Sequence, residues 1–228
     1  MRYPRAVSIL ILAPALALAV GCTPQVTVDS VLDAAEDAAG AEALATLQTA
    51  RIHAQGTWSS PAMNVPPMPF DAEYTYRFPD KAIWRIQPEM GEMMAMAYDG
   101  EAAWSSWMAP AARHTGWMEQ MIRDYVAEGN VLHITPARAA GFATFSLAST
   151  EPEGDPPAYR VTFAPATGGE WTLWFDQASG HLVRGEHSYR FMDGQPMQGL
   201  WERSEPKVFG DVTFPSKVRF EGTRGDEV

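Results

Sequence analysis

From Arg51 onward the chain alternates apolar and polar positions. The clearest run is Phe70-Asp71-Ala72-Glu73-Tyr74-Thr75-Tyr76-Arg77-Phe78, in which every second residue is apolar. Successive side chains of a strand point to opposite faces, so a period of two predicts a β-strand with one buried and one wet face. The same pattern predicts strands over residues 52–58, 82–86, 94–98, 142–147, 159–163 and 171–175. Between and beyond them lie turn-forming pairs such as Pro79-Asp80, Asp99-Gly100, Gly168-Gly169, Ser179-Gly180, Asp193-Gly194 and Gly210-Asp211. Connectors this short join antiparallel neighbours, because parallel pairing needs crossovers of about a dozen residues or more. The sheet is therefore predicted to be a meander.

Two stretches follow a helical period instead. Residues 30–39 place Val31, Leu32 and Ala35 on one face, Gly40 interrupts, and residues 41–49 resume with Leu44 and Leu47. In mid-chain, residues 117–127 set Met118, Met121, Ile122 and Tyr125 at positions i, i+3, i+4 and i+7, an amphipathic helix among the strands. An N-terminal helix and one mid-chain helix are thus expected to cover one face of the sheet.

The first residues follow neither pattern. Arg2 and Arg5 precede an uncharged apolar run over residues 6–20, the basic head and apolar body of a secretory signal peptide. The run is shorter than the roughly 20 apolar residues that span a bilayer. Leu18-Ala19-Val20-Gly21-Cys22 resembles the lipobox of bacterial lipoproteins, with small residues before a thiol that accepts the diacylglycerol. Cys22 is the single cysteine, so it has no partner within the chain for a disulfide. The expected organisation is a signal peptide over residues 1–21, a lipidated tether over 22–29, and one domain over 30–228. Lipid on Cys22 makes the mature protein membrane-anchored and extracytoplasmic. Thr23 stands where the sorting rule for such lipoproteins reads Asp as retention at the inner membrane, which favours the outer membrane, facing the periplasm.

Charge narrows the partners. Without residues 1–21 the chain keeps 15 Lys and Arg against 28 Asp and Glu, a net of −13. No basic stripe exists to neutralise phosphates, so a nucleic-acid partner is not expected. An acidic body is also repelled by anionic headgroups unless lipid holds it there.

Several stretches, in order, resemble the outer-membrane lipoprotein-sorting family, the LolA/LolB-like carriers and their lipoprotein relatives. They are Gly40-Ala41-Glu42-Ala43-Leu44; Tyr98-Asp99-Gly100-Glu101 with Trp104; Trp171-Thr172-Leu173-Trp174-Phe175-Asp176 with Ser179-Gly180; and Phe209-Gly210-Asp211-Val212-Thr213-Phe214-Pro215-Ser216-Lys217-Val218. The resemblance implies a mainly β fold: a curved, unclosed antiparallel half-barrel whose apolar concave face is lidded by helices and holds acyl chains without chemistry. The chain departs from that family in two places. The arginine that ends the strand before the Pro-Asn or Pro-Asp turn, linked there to lid control, is Phe78 here, with Arg77 on the opposite face. Active shuttling is therefore not carried over. Family chains also often run on through another strand after the counterpart of Phe220-Glu221, which implies a sheet shorter by one strand here.

Residues expected to line an apolar ligand cavity are Trp58, Phe70, Tyr74, Tyr76, Met94, Met96, Trp171, Leu173 and Phe175, chosen by strand parity. Met90, Met93, Met94 and Met96 contain soft ligands suited to Cu(I), but no His or Cys lies nearby, and flexible Met also suits cavity lining. No metal and no cofactor are expected. Gly-x-Ser-x-Gly, His-Glu-x-x-His and P-loop motifs are absent, so no enzyme is expected. His181 and His187, six apart, read as solvated residues of one strand, and Glu151, Glu153 and Asp155 as a solvated turn. Two readings stay open: a module binding an acyl chain or lipid, and a scaffold or envelope-signalling lipoprotein whose edge strands dock a partner protein.

Overall fold

The computed structural model describes residues 25–60, 65–89, 94–106, 111–132, 134–190 and 195–224. Cys22, Met90 and Met93 lie outside the described residues.

Helix α1 (Val28–Ala39) opens on a capping box: Ser30 donates its backbone N–H to Thr27 Oγ1 at 3.1 Å, and Thr27 returns its own to Ser30 Oγ at 3.0 Å. That cap starts the helix two residues before its apolar stripe would suggest. Gly40 ends α1 in a left-handed conformation, φ 97°, and a Cβ there would overlap the Asp211 carbonyl oxygen. Both requirements call for glycine. Helix α2 (Ala41–Ala45) follows, shorter than the sequence pattern predicts.

Two antiparallel meanders come next, each hydrogen-bonded in chain order. The first holds β1 (Thr49–Ser60), β2 (Val65–Arg77), β3 (Lys81–Pro88), β4 (Met94–Tyr98), β5 (Ala103–Ser105) and β6 (Ala112–His114). Helices α3 (Trp117–Leu132) and α4 (Ile134–Ala139) then lead into the second. It holds β7 (Ala143–Leu147), β8 (Ala158–Pro165), β9 (Trp171–Asp176), β10 (Leu182–Arg190), β11 (Pro196–Phe209) and β12 (Val212–Arg224). The fold is mainly β and unclosed, as expected, but it is built as two six-stranded sheets rather than one. Among the described residues, β1 and β12 each end a sheet and are not paired with each other.

Helix α3 joins the halves because it buries two faces. Met121, Ile122 and Val126 pack with Tyr76, Ala82, Trp84 and Tyr98 of the first sheet. Ala127 packs with Phe163, Trp171 and Trp201 of the second. Asn130 anchors the same helix by donating from Nδ2 to the Pro79 carbonyl at 2.6 Å, in the β2–β3 turn. At the other end of the second sheet, α1 and α4 form a roof over Val161, Leu173 and Phe175. Arg138 of α4 holds that roof together through Asp29, Asp33 and Glu36 of α1, at 2.9, 2.7 and 3.1 Å.

Candidate functional site

The register of the first sheet lays its inward residues out in rows. Ile52 pairs with Tyr74, Tyr74 with Trp84, and Trp84 with Met96, so four strands contribute to one apolar row. A second row runs Ala54, Ala72, Ile86, Met94. Opposite-parity positions face water, where Glu73 sits between Arg51 and Arg85. Alternation thus makes one continuous apolar face.

That face looks across a cleft of about 2630 Å³ towards Tyr189, Met197, Trp201 and Phe220 of the second sheet, with Met121 and Tyr125 of α3 between. Consecutive residues of β1 (50–59) and β12 (214–223) all border the cleft. Both faces of a strand reach one space only at an edge, so the mouth lies between the free edges of β1 and β12. The volume includes that mouth, and it exceeds the roughly 300–1,000 Å³ of a pocket for a drug-sized molecule.

Six of the nine residues expected to line a cavity do so: Trp58, Phe70, Tyr74, Tyr76, Met94 and Met96. Trp58 is 41% exposed at the mouth, while Tyr76 is 4% exposed beneath α3. Trp171, Leu173 and Phe175 are a correction. They are at most 1% exposed and belong to the closed core under the helices, not to the cleft lining. Parity assigns a side chain to a face of the sheet but does not say what covers that face. Here α1, α4 and Ala127 of α3 fill that end of it. Phe78 packs partly buried against the first core cluster and Arg77 is exposed, the opposite-face placement expected of them.

The cleft also has a polar floor that the apolar pattern did not reveal. Glu128 on α3, Arg203 on β11 and His187 on β10 all line it. His187 corrects the expectation of a solvated residue: it is 6% exposed and stacks on Trp171, with ring centroids 3.9 Å apart and planes at 7°. Trp201 donates its indole N–H to Glu128 Oε1 at 2.8 Å. Burial pushes the Glu128 carboxyl up to about 7, against the opposing pull of Arg203 and of that hydrogen bond. Burial likewise lowers Arg203 to about 10 and His187 to about 3. The Tyr74 and Tyr189 hydroxyls are each pushed to about 12, by burial first and by Glu128 second.

A signal for these residues existed in the sequence. Glu128 continues the α3 stripe three residues after Tyr125, and Arg203 shares strand parity with Met197 and Trp201. A charge at an inward position was the mark to look for. Among the described residues, no three His, Cys, Asp or Glu side chains gather as metal ligands.

No protein-family profile and no curated protein matches the chain. Among solved structures, it is similar to the crystal structure of a candidate outer membrane lipoprotein-sorting protein domain from Vibrio parahaemolyticus. That similarity has 10% sequence identity and a TM-score of 0.49, covering 85% of this chain and 93% of that one.

Proposed function

We propose that this chain is an extracytoplasmic lipoprotein, held on a membrane through lipid on Cys22 and facing the periplasm from the outer membrane, that binds an acyl chain or lipid in the cleft. The observation that carries the binding reading is the apolar row Ile52, Tyr74, Trp84 and Met96 facing a space that side chains leave unfilled. Burying an alkyl chain there gains about 0.8 kcal/mol per methylene. A chain of ordinary length therefore offsets the cost of its own immobilisation.

The test is titration of a fluorescent fatty acid into the chain beginning at Thr23, which keeps every residue of both core clusters. Phe70→Asp is the informative variant, because Phe70 lines the cleft but belongs to neither cluster. A carboxylate there opposes an alkyl chain without removing core packing. Saturable binding is expected, insensitive to salt and weakened by Phe70→Asp. No saturable binding would turn attention to the second reading, a scaffold that docks a partner protein. What favours that reading is the β11–β12 hairpin, where Val208, Phe209 and Val218 are 72%, 55% and 51% exposed beside the free edge of β12.

A further inference from the structure

An apolar container has no use for a buried guanidinium, a carboxyl and an imidazole, yet the floor of this cleft holds all three. They form one cluster. The His187 and Trp201 rings lie 4.8 Å apart, the Trp201 indole donates to Glu128, and Glu128 interacts electrostatically with Arg203. Neither ring nitrogen of His187 has a hydrogen-bond partner among the described residues, although the side chain is more than nine-tenths buried. Buried polar atoms are ordinarily satisfied. An imidazole with two unused nitrogens on a cavity wall therefore points to a polar group of a ligand.

We propose that Arg203, His187 and Glu128 form a head-group subsite, and that the ligand is a single-chain amphiphile entering carboxylate first with its alkyl chain along the Ile52–Met96 row. This rests on the cleft being the binding site and adds the class of ligand and its orientation. Arg203 supplies the cation for the carboxylate, and the neutral imidazole of His187 donates one N–H to it. The phenols that feel the Glu128 charge are Tyr74 and Tyr76 from β2, Tyr125 from α3 and Tyr189 from β10. Asp124, the other carboxyl on this stretch of α3, accepts from Gln120 and from the Gly169 N–H. The phenols are neutral at ordinary pH, because burial raises every one of them. Glu128 gives up its charge more readily than Arg203 does, so below about pH 7 the cluster is net positive. A bound carboxylate raises the proton affinity of Glu128 further. Binding therefore takes a proton from solvent, and it weakens as pH rises through the Glu128 value.

The experiment compares dodecanoic acid, dodecanol and methyl dodecanoate by calorimetry on the chain from Thr23, below and above pH of about 7. The acid is expected to bind about tenfold tighter than the alcohol or ester, with proton uptake visible as a dependence of the heat on buffer ionisation enthalpy. Arg203→Met and His187→Phe should erase that preference while dodecanol still binds, which shows the fold intact. Glu128→Gln should keep the preference and lose the pH dependence. Equal binding of acid, alcohol and ester overturns the head-first subsite and leaves the apolar cleft standing. A preference that survives both Arg203→Met and His187→Phe overturns it as well. No binding of any of the three overturns the cleft reading itself.

Discussion

Gly129, inside α3, lies against the ring of Tyr76 on β2 with no room for a methyl group between them. A Cβ on Gly129 would stand 2.9 Å from the Tyr76 Cζ and closer still to Cε1 and Cδ1. The ring has little freedom to retreat, because it is buried and its hydroxyl accepts the Trp84 indole N–H at 3.2 Å. A helix-interior glycine ordinarily costs about 1 kcal/mol relative to alanine. Here that cost is offset by bringing α3 close over the first sheet. Gly129→Ala is therefore expected to destabilise the protein by about 1–3 kcal/mol, seen as a lower urea midpoint at unchanged m-value. A raised midpoint would mean that the ring moves aside and that the close contact has no structural weight.

The strands legible in the sequence were those whose inward residues are all apolar, β1 to β4 and β7 to β9. Of the last three, β10 reads only as a solvated strand carrying His181 and His187, and β12 enters only through the family resemblance. Strands β10 and β11 lose their apolar period for a physical reason. Along β11 the inward set is Met197, Gly199, Trp201 and Arg203, and along β10 it includes Gly185 and His187. A two-letter apolar and polar pattern loses its period where the buried face carries a charge, and that is where the cleft has its polar floor. Strands β5 and β6, of 3 residues each, are too short to show any period. Helix α4 carries Pro136 within its 6 residues and shows no helical signal, so the sequence predicts only the α1 part of the roof over Leu173 and Phe175.

The anchor prediction rests on sequence alone. Gly21-Cys22 after an uncharged run supplies the only thiol that could take lipid. Cys22→Ala should leave the protein either unprocessed or soluble, and a mass measurement on the wild type should show the N-terminal cysteine carrying acyl chains. Should the variant be processed to the wild-type length and remain in the membrane fraction, the lipobox reading is wrong.

The last prediction concerns the imidazole that the fold keeps neutral. Burial lowers His187 from 6.5 to about 3, so between those values the unfolded chain binds a proton that the folded chain refuses. Its contribution to stability is fully present above pH 6.5 and is lost as pH falls towards about 3, at up to about 1.4 kcal/mol per pH unit. Glu128 and Asp124 act in the opposite sense. Burial raises them from 4.5 to about 7 and from 3.8 to about 6, so the folded state holds their protons more tightly, and that contribution is lost as pH rises through the raised values. The slopes of the wild type therefore partly cancel in mildly acidic solution. A comparison with His187→Phe separates them, because phenylalanine keeps a ring on Trp171 and removes the titration, while its other effects do not vary with pH. The stability of His187→Phe relative to wild type, from urea unfolding at a series of pH values, should increase steadily as pH falls from 6.5. A difference that stays constant with pH would mean that His187 protonates in the folded protein with its ordinary affinity, and that burial does not hold the imidazole neutral.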